Sequence, residues 1–188
     1  MSLRLCRLSA LVLALALVVA LTACLEPSAP PPPPREPGPD AVGQFCHMLL
    51  SEHQGPKGQV FQGDDQTPLW FSTVHDTLVY LFTIGVTQNV RAVYVNDMGR
   101  ASWAKPEPGT WISAKTAWYV IGSQRPAAMG GGEMVPFSDP VAAQTYTKTY
   151  GGQVVPFDRL PRDLDQNPAG PPPSFAPAQE PVHDQVQH

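Results

Sequence analysis

Residues 71–83 read FSTVHDTLVYLFT, and residues 137–150 read FSDPVAAQTYTKTY. In the first stretch Val74, Leu78, Leu81 and Phe82 fall on one helical face, which predicts a helix over 73–83 with Ser72 as its N-cap. In the second, Pro140 behind Ser138 and Asp139 suits a first helical turn, and Gly151-Gly152 closes a helix running to about Tyr150. The Phe-Ser pair recurs 66 residues apart, and strand-like pieces surround each helix. Residues 58–61 and 90–95 flank the first, the latter stopped by Asp97-Met98-Gly99; residues 133–137 and 153–157 flank the second. Residues 111–121, WISAKTAWYVI, alternate early and then run apolar, as a central strand does. The expectation is an α+β fold of two strand-strand-helix-strand halves, arising by internal duplication or else alike without common origin.

The compact region of residues 41–160 is large enough for one modest core. Ahead of it, Arg4 and Arg7 precede an apolar run over 8–21, too short for the roughly 20 residues that span a bilayer. Leu21-Thr22-Ala23-Cys24 resembles a bacterial lipobox, which implies removal of residues 1–23 and acylation of Cys24. Leu25 in place of an aspartate favours the outer membrane of a Gram-negative envelope. Losing Arg4 and Arg7 and no acid takes the formal charge from −4 to −6, which argues against nucleic acid as partner. Lipid, not charge, is expected to hold the chain at the membrane. Residues 24–40, with Pro30 to Pro34 in a row, read as a semi-rigid polyproline tether. Residues 161–188 are proline-rich and polar and read as disordered, with His183 and His188 solvated.

With Cys6 in the signal and Cys24 acylated, Cys46 is left as the one free thiol, inside Cys46-His47-Met48. An unpaired thiol in an exported chain is unusual, because oxidising compartments pair or oxidise thiols. Thiolate and thioether together suit Cu(I). Of the mature methionines, Met48 follows Cys46 at two-residue spacing, so an extended segment points both the same way and turns His47 to the other side. Met129 opens Met129-Gly130-Gly131-Gly132-Glu133-Met134, a loop whose glycines let a sulfur approach a neighbour. The candidate Cu(I) ligands are Cys46, Met48 and Met129, with His47 and Met134 secondary. Zinc fits poorly without four Cys/His donors, and blue-copper spacing is absent. The glycine run lacks the lysine of a phosphate loop. Asp97 and Glu133, near the methionine loops, read as solvated loop acids, the alternative being that they orient ligands or meet a partner.

With these residues in view, the chain resembles the NosL family of lipoprotein copper chaperones for nitrous oxide reductase. The landmarks lie between Phe45 and about Leu160: Cys46-His47-Met48, Tyr94-Val95-Asn96-Asp97, Trp111-Ile112-Ser113-Ala114, Ala117-Trp118-Tyr119-Val120-Ile121-Gly122-Ser123, Met129-Gly130, Val135-Pro136-Phe137 and Gly151-Gly152. The resemblance implies a fold like that of organomercurial lyase and Cu(I) as cargo, with Cys46, Met48 and Met129 in the ligand positions. It also implies delivery to the reductase through an ABC-type membrane complex. Many relatives carry a second cysteine where this chain has Gly43, and a proline where it has Ala128, so the thioethers are left more of the coordination. Two other classes compete: a lipid-anchored scaffold that binds no metal, and a thiol-dependent lyase, for which a single thiol is too few.

Overall fold

The computed structural model describes residues 30–83, 89–127, 130–162 and 164. The signal, Cys24, residues 128–129 and the tail from 165 onward lie outside the described residues. The described residues from Pro32 onward belong to one compact unit. Its strands are β1 (Gly58–Gln62), β2 (Leu69–Phe71), β3 (Val90–Asn96), β4 (Trp111–Ser113), β5 (Trp118–Ile121), β6 (Val135–Phe137) and β7 (Gln153–Pro156). Two helices join them, α1 (Val74–Phe82) and α2 (Pro140–Tyr150).

The strands form two antiparallel sheets, ordered β2-β1-β3-β4 and β6-β5-β7. In each half the first strand lies between the second strand and the one that follows the helix. The strand-strand-helix-strand order therefore recurs with the same pairing, as the Phe-Ser repeat suggested. The recurrence is one of topology and does not establish duplication. Residues 111–121 are not one strand. A turn over 114–116 breaks them, leaving β4 at the edge of the first sheet and β5 at the centre of the second. The apolar run is nevertheless central where it is densest. Tyr119 and Ile121 face the main core, while Trp118 and Val120 face the α2 side.

Helix α1 is the hub. Val74, Leu78 and Leu81 share the main core with Val60, Val93 and Val95 of the first sheet and with Tyr119 and Val155 of the second. Helix α2 closes a smaller cluster of Val120, Val135, Phe137 and Ala143. Thr73 caps α1, its hydroxyl accepting from the Asp76 N–H at 3.0 Å, so the expected cap at Ser72 is displaced by one residue. Asp139 caps α2 with Pro140 in its first turn, as expected.

The segment assigned to a tether is in part a strap across the domain. Gln59, fully buried in β1, faces it with its side-chain amide. The Arg35 N–H donates to Gln59 Oε1 at 2.9 Å, and Gln59 Nε2 donates to the Arg35 carbonyl at 3.0 Å. The Tyr94 hydroxyl donates to the Pro32 carbonyl, and Glu36 accepts from the Gly109 N–H and Trp111 Nε1. Prolines have no N–H with which to join a ladder, but the peptide of Arg35 does, and the Gln59 amide pairs with it as a strand would. The folded unit thus begins before residue 41.

Candidate metal site

Residues 42–49 form a closed loop rather than an extended segment. Val42 and Leu49 bridge at its base, the Gly43 N–H donates to the Met48 carbonyl at 2.9 Å, and the His47 N–H donates to the Gly43 carbonyl at 2.9 Å. His47 makes this turn possible by adopting φ +54°, the one positive φ at a non-glycine among the described residues. Such conformations carry strain of about 1–3 kcal/mol and gather at functional positions. The expectation that Cys46 and Met48 share a face by alternation is therefore replaced by a turn that displays both. Cys46 is partly exposed, and Met48 is 38% exposed. Val42, Phe45 and Met48 are three of the four large apolar side chains exposed among the described residues, so the loop that carries the thiol is notably apolar at its surface. The Gln44 N–H donates to the Trp70 carbonyl at 2.7 Å, and Phe45 packs edge-on against Phe71, which fixes the loop to β2.

Beneath the loop, Cys46 Sγ lies 3.2 Å from Ser72 Oγ. Gly43 leaves room for the contact, since a Cβ at that position would come within 2.6 Å of both atoms. Ser72 is buried and, because Thr73 takes the capping role, its hydroxyl is available to the sulfur.

Glu133 meets the same end of α1. It is 1% exposed, not a solvated loop acid, and its Oε1 accepts from the His75 N–H at 3.1 Å and the Met134 N–H at 3.0 Å. Its Oε2 is buried without a partner. Burial pushes this carboxyl up to about 7, against the pull of the two N–H donors and the His75 and Lys57 charges. Lys57, donating Nζ to the Gln54 and Gly55 carbonyls, is lowered to about 8 by burial. His75 is raised, chiefly by its hydrogen bond with Asp76. Ser72 and His75 are three residues apart, so one helical turn fastens the Cys46 loop on one side and the glycine loop, through Glu133, on the other. Asp97 is equally buried. It accepts from the Gly99 and Ser138 N–H groups and the Ser138 hydroxyl, clamping the end of β3 to the end of β6.

Of the sulfur candidates, Cys46 and Met48 share the loop, with His47 exposed between them. Met134 is 2% exposed within the main core and does not belong to the surface loop. Met98 packs in the α2 cluster. Met129 lies outside the described residues, four positions before the Glu133 anchor. Among the described residues no group of three or more His, Cys, Asp or Glu side chains is placed to hold a metal ion. The sequence pattern assigns Ser72 a capping role and Glu133 a solvated one, and foresees neither the contact of Ser72 with Cys46 nor the burial of Glu133. The available signal was the pair Ser72-Thr73: two hydroxyl residues precede a helix that needs one cap.

The profile of the NosL family matches residues 34–164, which include Arg35 and Glu36 of the strap. The copper-binding lipoprotein NosL of Achromobacter cycloclastes is 40% identical over 146 residues, 77% of this chain and 76% of that protein. The protein of the same name from Stutzerimonas stutzeri is 30% identical over 124 residues, 66% and 64% of the two chains. The crystal structure of the copper chaperone NosL from Shewanella denitrificans superposes with a TM-score of 0.66 at 31% identity, over 70% of this chain and 97% of that one. With a thiol and a thioether displayed together on one fixed loop, and with sequence and fold matching over most of the length, the chain belongs to the NosL family.

Proposed function

We propose that this protein is a Cu(I) carrier of the bacterial envelope, and not an enzyme, which supplies copper for the maturation of nitrous oxide reductase. The observation that carries the reading is the partly exposed Cys46 thiol and the exposed Met48 thioether on one loop fixed to β2. Thiolate and thioether are soft donors that suit Cu(I), and Met129 on the glycine loop completes the proposed set. Thioethers leave readily, so a partner's donors displace them one at a time, and the loop's apolar surface keeps water from competing. The relatives' names, copper-binding lipoprotein and copper chaperone, support the cargo and the lipid. Acylation at Cys24 places the domain on the periplasmic side, at the outer membrane, and an ABC-type membrane complex with the reductase is the receiving machinery. A lone thiol does not provide the pair that cleavage of a carbon–metal bond requires.

The test is an anaerobic Cu(I) titration of the mature chain against a chromophoric chelator, with Cys24→Ser so that Cys46 is the one thiol. One Cu(I) per chain is expected, lost in Cys46→Ser and weakened in Met48→Ala and Met129→Ala. Retention of copper by Cys46→Ser would overturn the reading.

A further inference from the structure

Ser72 stands immediately before α1 yet leaves the helix to be capped by Thr73. It is 1% exposed, set between the end of β2 and the cap of α1, and its hydroxyl is 3.2 Å from Cys46 Sγ. Gly43 keeps the third side of this contact clear. In the second half Ser138 occupies the matching place before α2 and donates its hydroxyl hydrogen to Asp97 Oδ2 at 2.6 Å. There the hydroxyl serves a buried carboxylate that joins two strand ends. In the first half the same position serves a thiol on a surface loop, of which Phe45, His47 and Met48 are exposed.

We infer that Ser72 is a positioning residue for the copper ligand Cys46. This rests on the Cu(I) reading above and adds a residue to it. When Cu(I) binds, the Cys46 S–H proton goes to solvent, a copper–sulfur bond forms and no oxidation state changes. The Ser72 O–H keeps its proton and points it at a remaining sulfur lone pair. A donor fixed by strand and helix then selects one rotamer of Cys46, so the lone pair offered to copper always faces the open side of the loop. Partners of this kind behind a metal ligand commonly set 10- to 100-fold of the affinity.

The experiment compares the mature Cys24→Ser chain with the same chain carrying Ser72→Ala, Ser72→Thr or Cys46→Ser. Because Thr73 caps the helix, Ser72→Ala is expected to keep the circular dichroism and urea midpoint of the parent within error. It is expected to lose about 10-fold or more in Cu(I) affinity and to shift the ultraviolet sulfur-to-copper charge-transfer band, a signature that a purely structural role would leave alone. Ser72→Thr, which keeps the hydroxyl, is expected to restore both. A folded Ser72→Ala with parental affinity and an unmoved band, beside a Cys46→Ser that loses copper, would overturn this inference and leave the Cu(I) reading standing. Absence of Cu(I) from the parent would overturn that reading, and this inference with it.

Discussion

A carboxyl group inside a protein must find partners or keep its proton, and Glu133 does part of each. Oε1 is held by two backbone N–H groups while Oε2 has no partner, and burial outweighs the rest to lift the group to about 7. The folded state therefore binds this proton more tightly than the unfolded chain, whose ordinary value is 4.5. Its contribution to stability is fully present below about 4.5 and is lost as the pH rises through about 7. The charged groups facing it are His75 and Lys57. His75, also raised, acts in the same direction above its ordinary 6.5, whereas Lys57, lowered, acts between about 8 and 10.5. Urea unfolding at pH 5 and pH 8 should show stability falling over this interval, by an upper bound of roughly 3 kcal/mol from Glu133. Glu133→Gln keeps the acceptor and removes the charge, so it should flatten most of that fall; an equal fall in both proteins would contradict the assignment. Nothing in the sequence marked Glu133 as buried, because acids among glycines are ordinarily solvated. Cys46 was legible for the opposite reason, since free thiols in exported chains are rare enough to stand out by themselves.

Among the elements, α1 and β1 meet more closely than side chains allow. A Cβ on Gly58 would lie 2.7 Å from the Thr77 Cβ and closer still to its hydroxyl, with Thr77 fully buried and donating that hydroxyl to the Thr73 carbonyl. Gly58→Ala must push α1 off the sheet, and a loss of about 1–3 kcal/mol or more is expected in denaturant unfolding. An unchanged midpoint would mean that the helix has slack here. The two helices and five of the strand positions were readable from periodicity and punctuation, because Gly, Pro and Asp mark where local structure must stop. The division of residues 111–121 was not. Both resulting strands are rich in aromatic and β-branched residues, and the turn Ala114-Lys115-Thr116 carries neither glycine nor proline. The cap at Thr73 instead of Ser72 was likewise undecidable locally, since either residue can cap and a contact 26 residues distant in the chain takes the other.

At the scale of the molecule, the strap decides where the folded unit begins. A chain starting at residue 41 loses the pairing of Arg35 with Gln59, the Pro32 acceptor of Tyr94 and both Glu36 bonds. Removing the strap opens Gln59 to water, so what is lost is the net worth of these hydrogen bonds, about 0.5–1.5 kcal/mol each, and this chain should be at least about 2 kcal/mol less stable than one starting at residue 32. Equal urea midpoints would return residues 32–40 to the tether. The prolines hid this role, since a proline run reads the same whether it spans solvent or lies on a sheet. On the proposed acylation of Cys24, a strap seated from Pro32 leaves residues 25–31 as the length of chain between lipid and strap, which limits the span to at most about 25 Å. The thiol then has a short working radius. Under that proposal it would stay within a thin layer above the membrane, and its search for the proposed membrane-bound recipient would be a two-dimensional one, governed by lateral diffusion and by the height of the recipient's donor atoms above the lipid.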